Sequence, residues 1–386
     1  MNFLVIHTAN IKKRAKTALE KKAVEILEKP LSKDPKTADV DSEIADQVPL
    51  GVDHGFTSEE FLSQTTATCR QFFGYNSRKE MIAWMSVHWP NLKEEPVQTR
   101  GINRKLTDFQ EACMTRMFMR TGINITMLAA LWWISCSRCS RAIAKWMKRW
   151  EYHSKIFCRL TIDKEFLMKS QIKGMEERYG VPISHLVDGT VIETAKPRKN
   201  DAQHNSMCSN KIHGCGTLAL AHTTPTGLGI MCTDNFGAGA QEVDLVRIYE
   251  RWWAQYPAGF GRLVDKGFAW YTNVYYKNRN KAVFPAFLTK DSIQFSASKT
   301  KQLSPFEVKQ GRKQSQERYV VETFFSRVKS FKLLAGVVHW GHIKYINAVY
   351  LTACASANMM KPLKYPVSWD SLSKDFEAAK KLKRSV

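Results

Sequence analysis

Two acidic residues stand where a surface role explains them poorly. Asp188 closes the apolar run His185-Leu186-Val187, and Asp265 closes Leu263-Val264 ahead of Lys266-Gly267-Phe268. A charge at the end of a buried strand is costly unless it binds something. If the two strands lie side by side, their carboxylates stand about 5 Å apart at one sheet edge. Like charges that close repel, and a divalent cation relieves the repulsion. A third acid, Glu322, lies in RYVVETFFSRVKSF beside an apolar stripe of Val321, Phe325 and Val328, from where it can face a sheet. Three hard oxygen ligands suit Mg2+ or Mn2+. Two such ions suit phosphoryl transfer: one activates the attacking water or 3′-hydroxyl, the other stabilises the leaving oxygen. Spacing alone leaves rivals. Asp234 also ends a strand, Asp244 opens a helix, and Glu317 precedes Glu322 on one helix.

The elements that must position these acids alternate in type. ISHLVDGTVIET, KIHGCGTLALAHTT and GLGIMCTDN read as strands between residues 183 and 235, QEVDLVRIYERWWAQY as a helix, and GFGRLVDKGF and KAVFPAFL as two more strands. Helical patterns then run from about 305 to 332 and from about 342 to 360. This order predicts an α/β fold, a mixed sheet with helices on both faces.

A second group of residues suggests the substrate. Lys and Arg number 58 against 36 Asp and Glu, a net charge of +22. Folding and solubility need no such excess, which points to a polyanionic partner, nucleic acid or an anionic membrane surface. The membrane is disfavoured, because no apolar run approaches the ~20 residues of a spanning helix. Residues 100–150 concentrate the charge, with ten Lys and Arg against two acids. Thr107 is placed to cap a helix over 108–121 that Gly122 ends, and Thr126 a short helix over 127–133. A third helix covers about 138–150. On the last, Ile143, Trp146 and Met147 share one face, while Arg138, Arg141, Lys145 and Lys148 recur on another, with Arg149 beside them. Two helices about a tight turn, the second rich in Arg and Lys, form a helix-turn-helix pattern. Residues 290–332 carry a second basic concentration. In it, Arg318 and Lys329 fall about one and two turns from Glu322, within reach of phosphates near the acids.

Other motifs are weaker. Cys136 and Cys139 make a C-x-x-C with His153 and Cys158 downstream, but the spacing is not that of a zinc finger, and small packing residues explain it better. His213 and His222 read as structural. Nine cysteines, an odd number in a large chain, argue against a disulfide framework and for a reducing compartment. Residues 1–55 read as a basic, then acidic, tail, and Thr57 with Glu60 as a capping box.

LVDGT, then RLVDKGF, then VETFFSRVKSFKLL, in that order, resemble the DDE endonuclease domain of the PIF/Harbinger (IS5-like) transposases. NFGAGAQEVDLV is similar to that family's glycine-rich turn before an Asp that opens a helix, with AGAQEVD an unusual form. Phe268 stands where Tyr is commoner. The resemblance covers about 105–360 and includes the helix-turn-helix. It implies a ribonuclease-H-like mixed-sheet catalytic domain preceded by an all-α helix-turn-helix domain, with Asp188, Asp265 and Glu322 as the metal-binding and catalytic acids. It implies Mg2+ (or Mn2+), two ions, cutting and joining DNA ends. The domains expected are a tail over 1–55, a helical region over 56–160 with the helix-turn-helix at about 105–150, the endonuclease domain over 180–362, and a basic tail over 363–386. The partners expected are double-stranded DNA (terminal repeats and target), further copies of the chain, and a Myb-like accessory DNA-binding protein. The compartment expected is the nucleus if the source is eukaryotic. Two rivals stay open: a host-adopted DNA-binding protein or nuclease of transposase origin that no longer transposes, and an RNA-processing nuclease, which the helix-turn-helix disfavours.

Overall fold

The computed structural model describes residues 106–265, 281–283 and 305–364, apart from a few positions within them, with short pieces between 69 and 85 and residue 268. The tail over 1–55, the Thr57–Glu60 capping box, the basic positions 290, 299 and 301, and residues 365–386 lie outside the described residues. In chain order the elements are α1 (Asp108–Thr121), α2 (Ile125–Leu131), α3 (Cys136–Cys158), α4 (Lys164–Lys169), α5 (Met175–Tyr179), β1 (Ile183–Thr194), α6 (Asp201–Met207), β2 (Cys208–Ser209) and β3 (Gly214–Thr223). Then come β4 (Gly229–Cys232), β5 (Phe236–Gly237), α7 (Glu242–Ile248), α8 (Glu250–Trp253), β6 (Gly261–Leu263), β7 (Lys281–Val283), α9 (Pro305–Val328) and α10 (Ile346–Met359). The chain divides into two compact units, the first reaching Lys155 and adding 329–338 and 342–359.

The described secondary structure of the first unit is helical. The Thr107 hydroxyl accepts the Gln110 N–H and the Gln110 side chain accepts the Thr107 N–H, so both ends of a capping box start α1. Gly122 closes it in the left-handed region, at φ 67°. The cap of α2 is Asn124, whose side chain accepts the Met127 N–H at 2.7 Å, in place of Thr126. Asn at an N-cap is as good an acceptor as Thr or better, so the earlier residue takes the position. Helix α3 runs eight residues past the expected end. No Gly or Pro interrupts it there, and an i,i+4 pair between Glu151 and Lys155 (3.0 Å) supports the added turns. Its buried face holds Cys139, Ile143, Trp146, Met147 and Trp150.

The core of this unit encloses a cation. Arg116 of α1 is 1% exposed. Its guanidinium donates to the Phe73 carbonyl (2.9 Å) and the Ser356 hydroxyl (2.7 Å), and lies over the rings of Tyr75, Trp150 and Phe331. Burial lowers its pKa. Hydrogen bonds and ring faces let such a charge remain buried.

The second unit is built on a mixed sheet. Its strand order is β2-β3-β1-β6-β7, with β4 and β5 also paired to β3. β1 pairs antiparallel with β3 and parallel with β6, and β6 pairs parallel with β7. β1 therefore lies between two strands, and Ile183–Val187 is buried at every position. A strand covered on both faces reads as a continuous apolar run rather than an alternation. Fully burying Leu186, Val187 or Leu263 contributes about 1.5–3 kcal/mol each. Helix α9 lies against β1 and β3, α7 against β3, and α4 and α5 against β1. Among the described residues, no helix is long and apolar enough to cross a membrane.

Candidate active site

The strand register sets the site. Leu186 of β1 pairs with Leu263 of β6. Asp188 lies two residues further along β1, and Asp265 two residues past Leu263, just beyond the end of β6, so the chain leaves the sheet with the two acids near one edge. Asp188 is held in the ladder by Ala221 of β3. Helix α9 then brings one cation to both acids. The Arg318 guanidinium lies 3.4 Å from the Asp188 carboxylate and 3.2 Å from that of Asp265. The Arg318 and Asp188 side chains are mostly buried, at 12% and 23% exposure, and that of Asp265 is half exposed.

Burial raises the Asp188 carboxyl to about 6. Arg318 and the Gly189 N–H, which donates to it at 2.9 Å, act the other way, while Glu242 and Asp265 add to the rise. Glu242, the first residue of α7, is a carboxylate that sequence reasoning missed. A Cβ at Gly189 would lie 2.5 Å from its Oε1, so the absent side chain gives this acid its place against β1. Nothing local marks Glu242, because its position depends on where α7 docks. Two carboxylates converge on one guanidinium, and the donors of the cluster are hard oxygens. Asp188 and Asp265, with Glu242 nearby, therefore fit a divalent cation of the Mg2+ or Mn2+ type.

The rival acids are engaged elsewhere. Asp234 pairs with Arg159 (2.7 Å) and accepts from the Tyr249 hydroxyl (2.8 Å). Asp244 accepts the Gln241 N–H (3.0 Å) and completes the capping box of α7. Glu317 is 8% exposed and bonded to Arg178 and to the Tyr179 hydroxyl. These are structural bonds, and they leave Asp188 and Asp265 as the pair that shares a cation.

Glu322 sits one turn past Arg318, so the two share a side of α9. It is exposed to solvent, and the three acids do not close to within 4.8 Å of one another. Lys329, just past α9, is exposed.

The basic residues of α3 divide by role. Arg141 and Lys148 are exposed, and Arg138 is half-buried. Lys145 pairs with Asp108 (2.6 Å) and Glu111 (3.0 Å), and Arg149 lies 4.8 Å over the Trp146 ring. With Arg116 buried, the charge that this segment presents outward is smaller than the ten cations of its sequence. The Cys136–Cys139 pair lies on the same continuous helix as His153, and at 1.5 Å per residue Cys139 and His153 are about 21 Å apart. That spacing excludes a shared zinc ion. His222 is buried and stacked on His185, at 4.9 Å between ring centroids. Burial, with His185 and Arg262 beside it, holds its pKa well below the usual histidine value. His213 is exposed.

No curated protein and no solved structure matches the chain. Residues 187–358 match the family model of the DDE superfamily endonuclease, a span that takes in Asp188, Asp265, Arg318 and Glu322 and supports a transposase- or nuclease-like activity on DNA.

Proposed function

We propose that the chain is a DNA transposase of the PIF/Harbinger type, which binds the ends of its element and carries out metal-dependent cleavage and strand transfer. The observation that carries this reading is the pair of Asp188 on β1 and Asp265 just past the neighbouring parallel strand β6, joined by one arginine while the rival acids are engaged elsewhere. The mixed sheet is compatible with a ribonuclease-H-like domain. DDE endonucleases in general use divalent metal ions. Asp188, Asp265 and Glu322 are the residues that would hold Mg2+ (or Mn2+), with Glu242 beside Asp188. Two bound ions supply an activated nucleophile and charge stabilisation at the leaving oxygen.

The chain's own residues do the rest. Asp188 is fixed by the sheet and Arg318 ties Asp265 to it, so little reorganisation is needed to present their oxygens. Arg318 holds a guanidinium within the acid cluster, where it can pair with a phosphate oxygen of the strand being cut. Arg138, Arg141, Lys148 and Arg149 on α3 would hold duplex DNA in a helix-turn-helix, and Lys329 would add a contact beside α9. Further copies of the chain, a Myb-like accessory protein and a nuclear compartment belong to the same proposal.

The test is Mg2+-dependent nicking of duplex DNA carrying the element's own ends. Wild type should cut and Asp188→Ala should bind but not cut. Cleavage by Asp188→Ala at the wild-type rate would overturn the assignment.

A further inference from the structure

Away from the acids, one group of side chains has the composition and spacing of a metal site. Among the described residues, His204, Cys208 and Cys215 form the one group of three His, Cys, Asp or Glu whose ligand atoms all lie within 4.8 Å of one another. The backbone brings them together. Cys208 and Cys215 are direct partners across the β2–β3 pairing. His204 lies one helical turn before Cys208, in α6. The end of α6 is fixed by the Gly239 N–H, which donates to the Ser206 carbonyl at 2.9 Å. All nine cysteines are free thiols, so the two sulfurs are not joined.

The distances discriminate between a casual cluster and a coordination sphere. Tetrahedral zinc with Zn–S of ~2.3 Å and Zn–N of ~2.05 Å requires S···S of ~3.8 Å and S···N of ~3.6 Å. The two sulfurs are 3.8 Å apart; the His204 ring lies against both, its Nε2 3.2 Å and its Nδ1 3.7 Å from Cys208, and its Nδ1 3.4 Å from Cys215. These spacings are of the size of the edges of such a tetrahedron, and a rotation of the imidazole aims one nitrogen at the space between the sulfurs. Thiolate and imidazole ligands favour zinc over the hard cations that suit the acid cluster. Cys215 is buried, while Cys208 and His204 are half-buried.

We propose that His204, Cys208 and Cys215 bind a zinc ion that ties α6 to the β2–β3 hairpin. The ion would stiffen the connection between β1, which carries Asp188, and its neighbour β3. It is independent of the DNA-cutting reading and would persist if that reading failed.

The experiment uses the full chain, purified under reducing conditions, with metal content measured by mass spectrometry. Wild type and Asp188→Asn should each hold about one zinc per chain, Cys208→Ser should lose it, and Cys136→Ser should keep it. A Cys208→Ser chain that fails to fold would show lost helical circular dichroism. For that case, His204→Cys supplies a second test, since a third thiolate should retain the metal. Cobalt added to the metal-free wild type should give a thiolate-to-cobalt absorption band that Cys208→Ser lacks. Wild type that binds neither zinc nor cobalt, a zinc content unchanged in folded Cys208→Ser, or a Cys208–Cys215 disulfide in the reduced protein would each overturn the proposal.

Discussion

The raised Asp188 carboxyl makes a signed prediction about stability. Its pKa lies at about 6 in the folded chain, against an ordinary value of 3.8. Between those values the folded state holds a proton that the unfolded chain has already released. Where the folded state binds more protons, stability falls as pH rises. The loss is absent below about pH 4 and complete by pH 7. A shift of about two units corresponds to about 3 kcal/mol, at 1.36 kcal/mol per unit. Replacing Asp188 with Asn removes this titration and leaves Arg318 its second partner, Asp265, at 3.2 Å. The assay is urea unfolding with EDTA present, wild type against Asp188→Asn, from pH 4 to pH 7.5. Other carboxylates titrate in both proteins and cancel in the difference. The stability of the variant relative to wild type should increase by about 3 kcal/mol across that range. Replacing EDTA with excess Mg2+ at pH 7.5 should stabilise wild type and leave the variant unchanged. A difference that stays flat with pH would refute the argument that burial dominates at Asp188.

Two contrasts separate structural charges from functional ones. Glu317→Gln weakens the bonds to Arg178 and Tyr179 and should lower stability by about 1–3 kcal/mol, read by thermal unfolding, while Mg2+-dependent nicking stays at the wild-type rate. Arg138→Gln, Arg141→Gln and Lys148→Gln together should weaken duplex binding and reduce the slope of log affinity against log salt by about 2.7. Lys145→Gln should instead act mainly on stability, because Lys145 pairs with Asp108 and Glu111.

How legible the site was depends on the range of the interaction involved. Asp188 and Asp265 could be found because the cause of their oddity is local: an acid ending an apolar run. The Thr107 cap and the Gly122 stop are local in the same way, and both residues hold the positions their types suggest. Asn124 displaced Thr126 because both can cap, and only the path of the turn decides between them. Arg318 was visible as a cation one turn from Glu322, but its place between two aspartates depends on how α9 packs on β1 and β3. Glu242 needed the docking of α7 and the bare backbone at Gly189. The His204–Cys208–Cys215 group has a spacing of four and seven residues, which is no finger pattern. Its convergence comes from the pairing of Cys208 with Cys215.

A charge count shares this limit, and the limit bears on function. Ten cations within residues 100–150 suggested one basic face, yet Arg116 is enclosed by aromatic rings and Lys145 neutralises the first turn of α1. Each holds the helices together, and neither is free for a phosphate. The reverse applies to the acids. Asp234, Asp244 and Glu317 each have a structural partner that accounts for their position. Asp188 and Asp265 share one cation, and the surrounding carboxylates outnumber it. A buried carboxyl with a shifted pKa and a specific charge partner marks a candidate functional site, which is what separates Asp188 from those three acids.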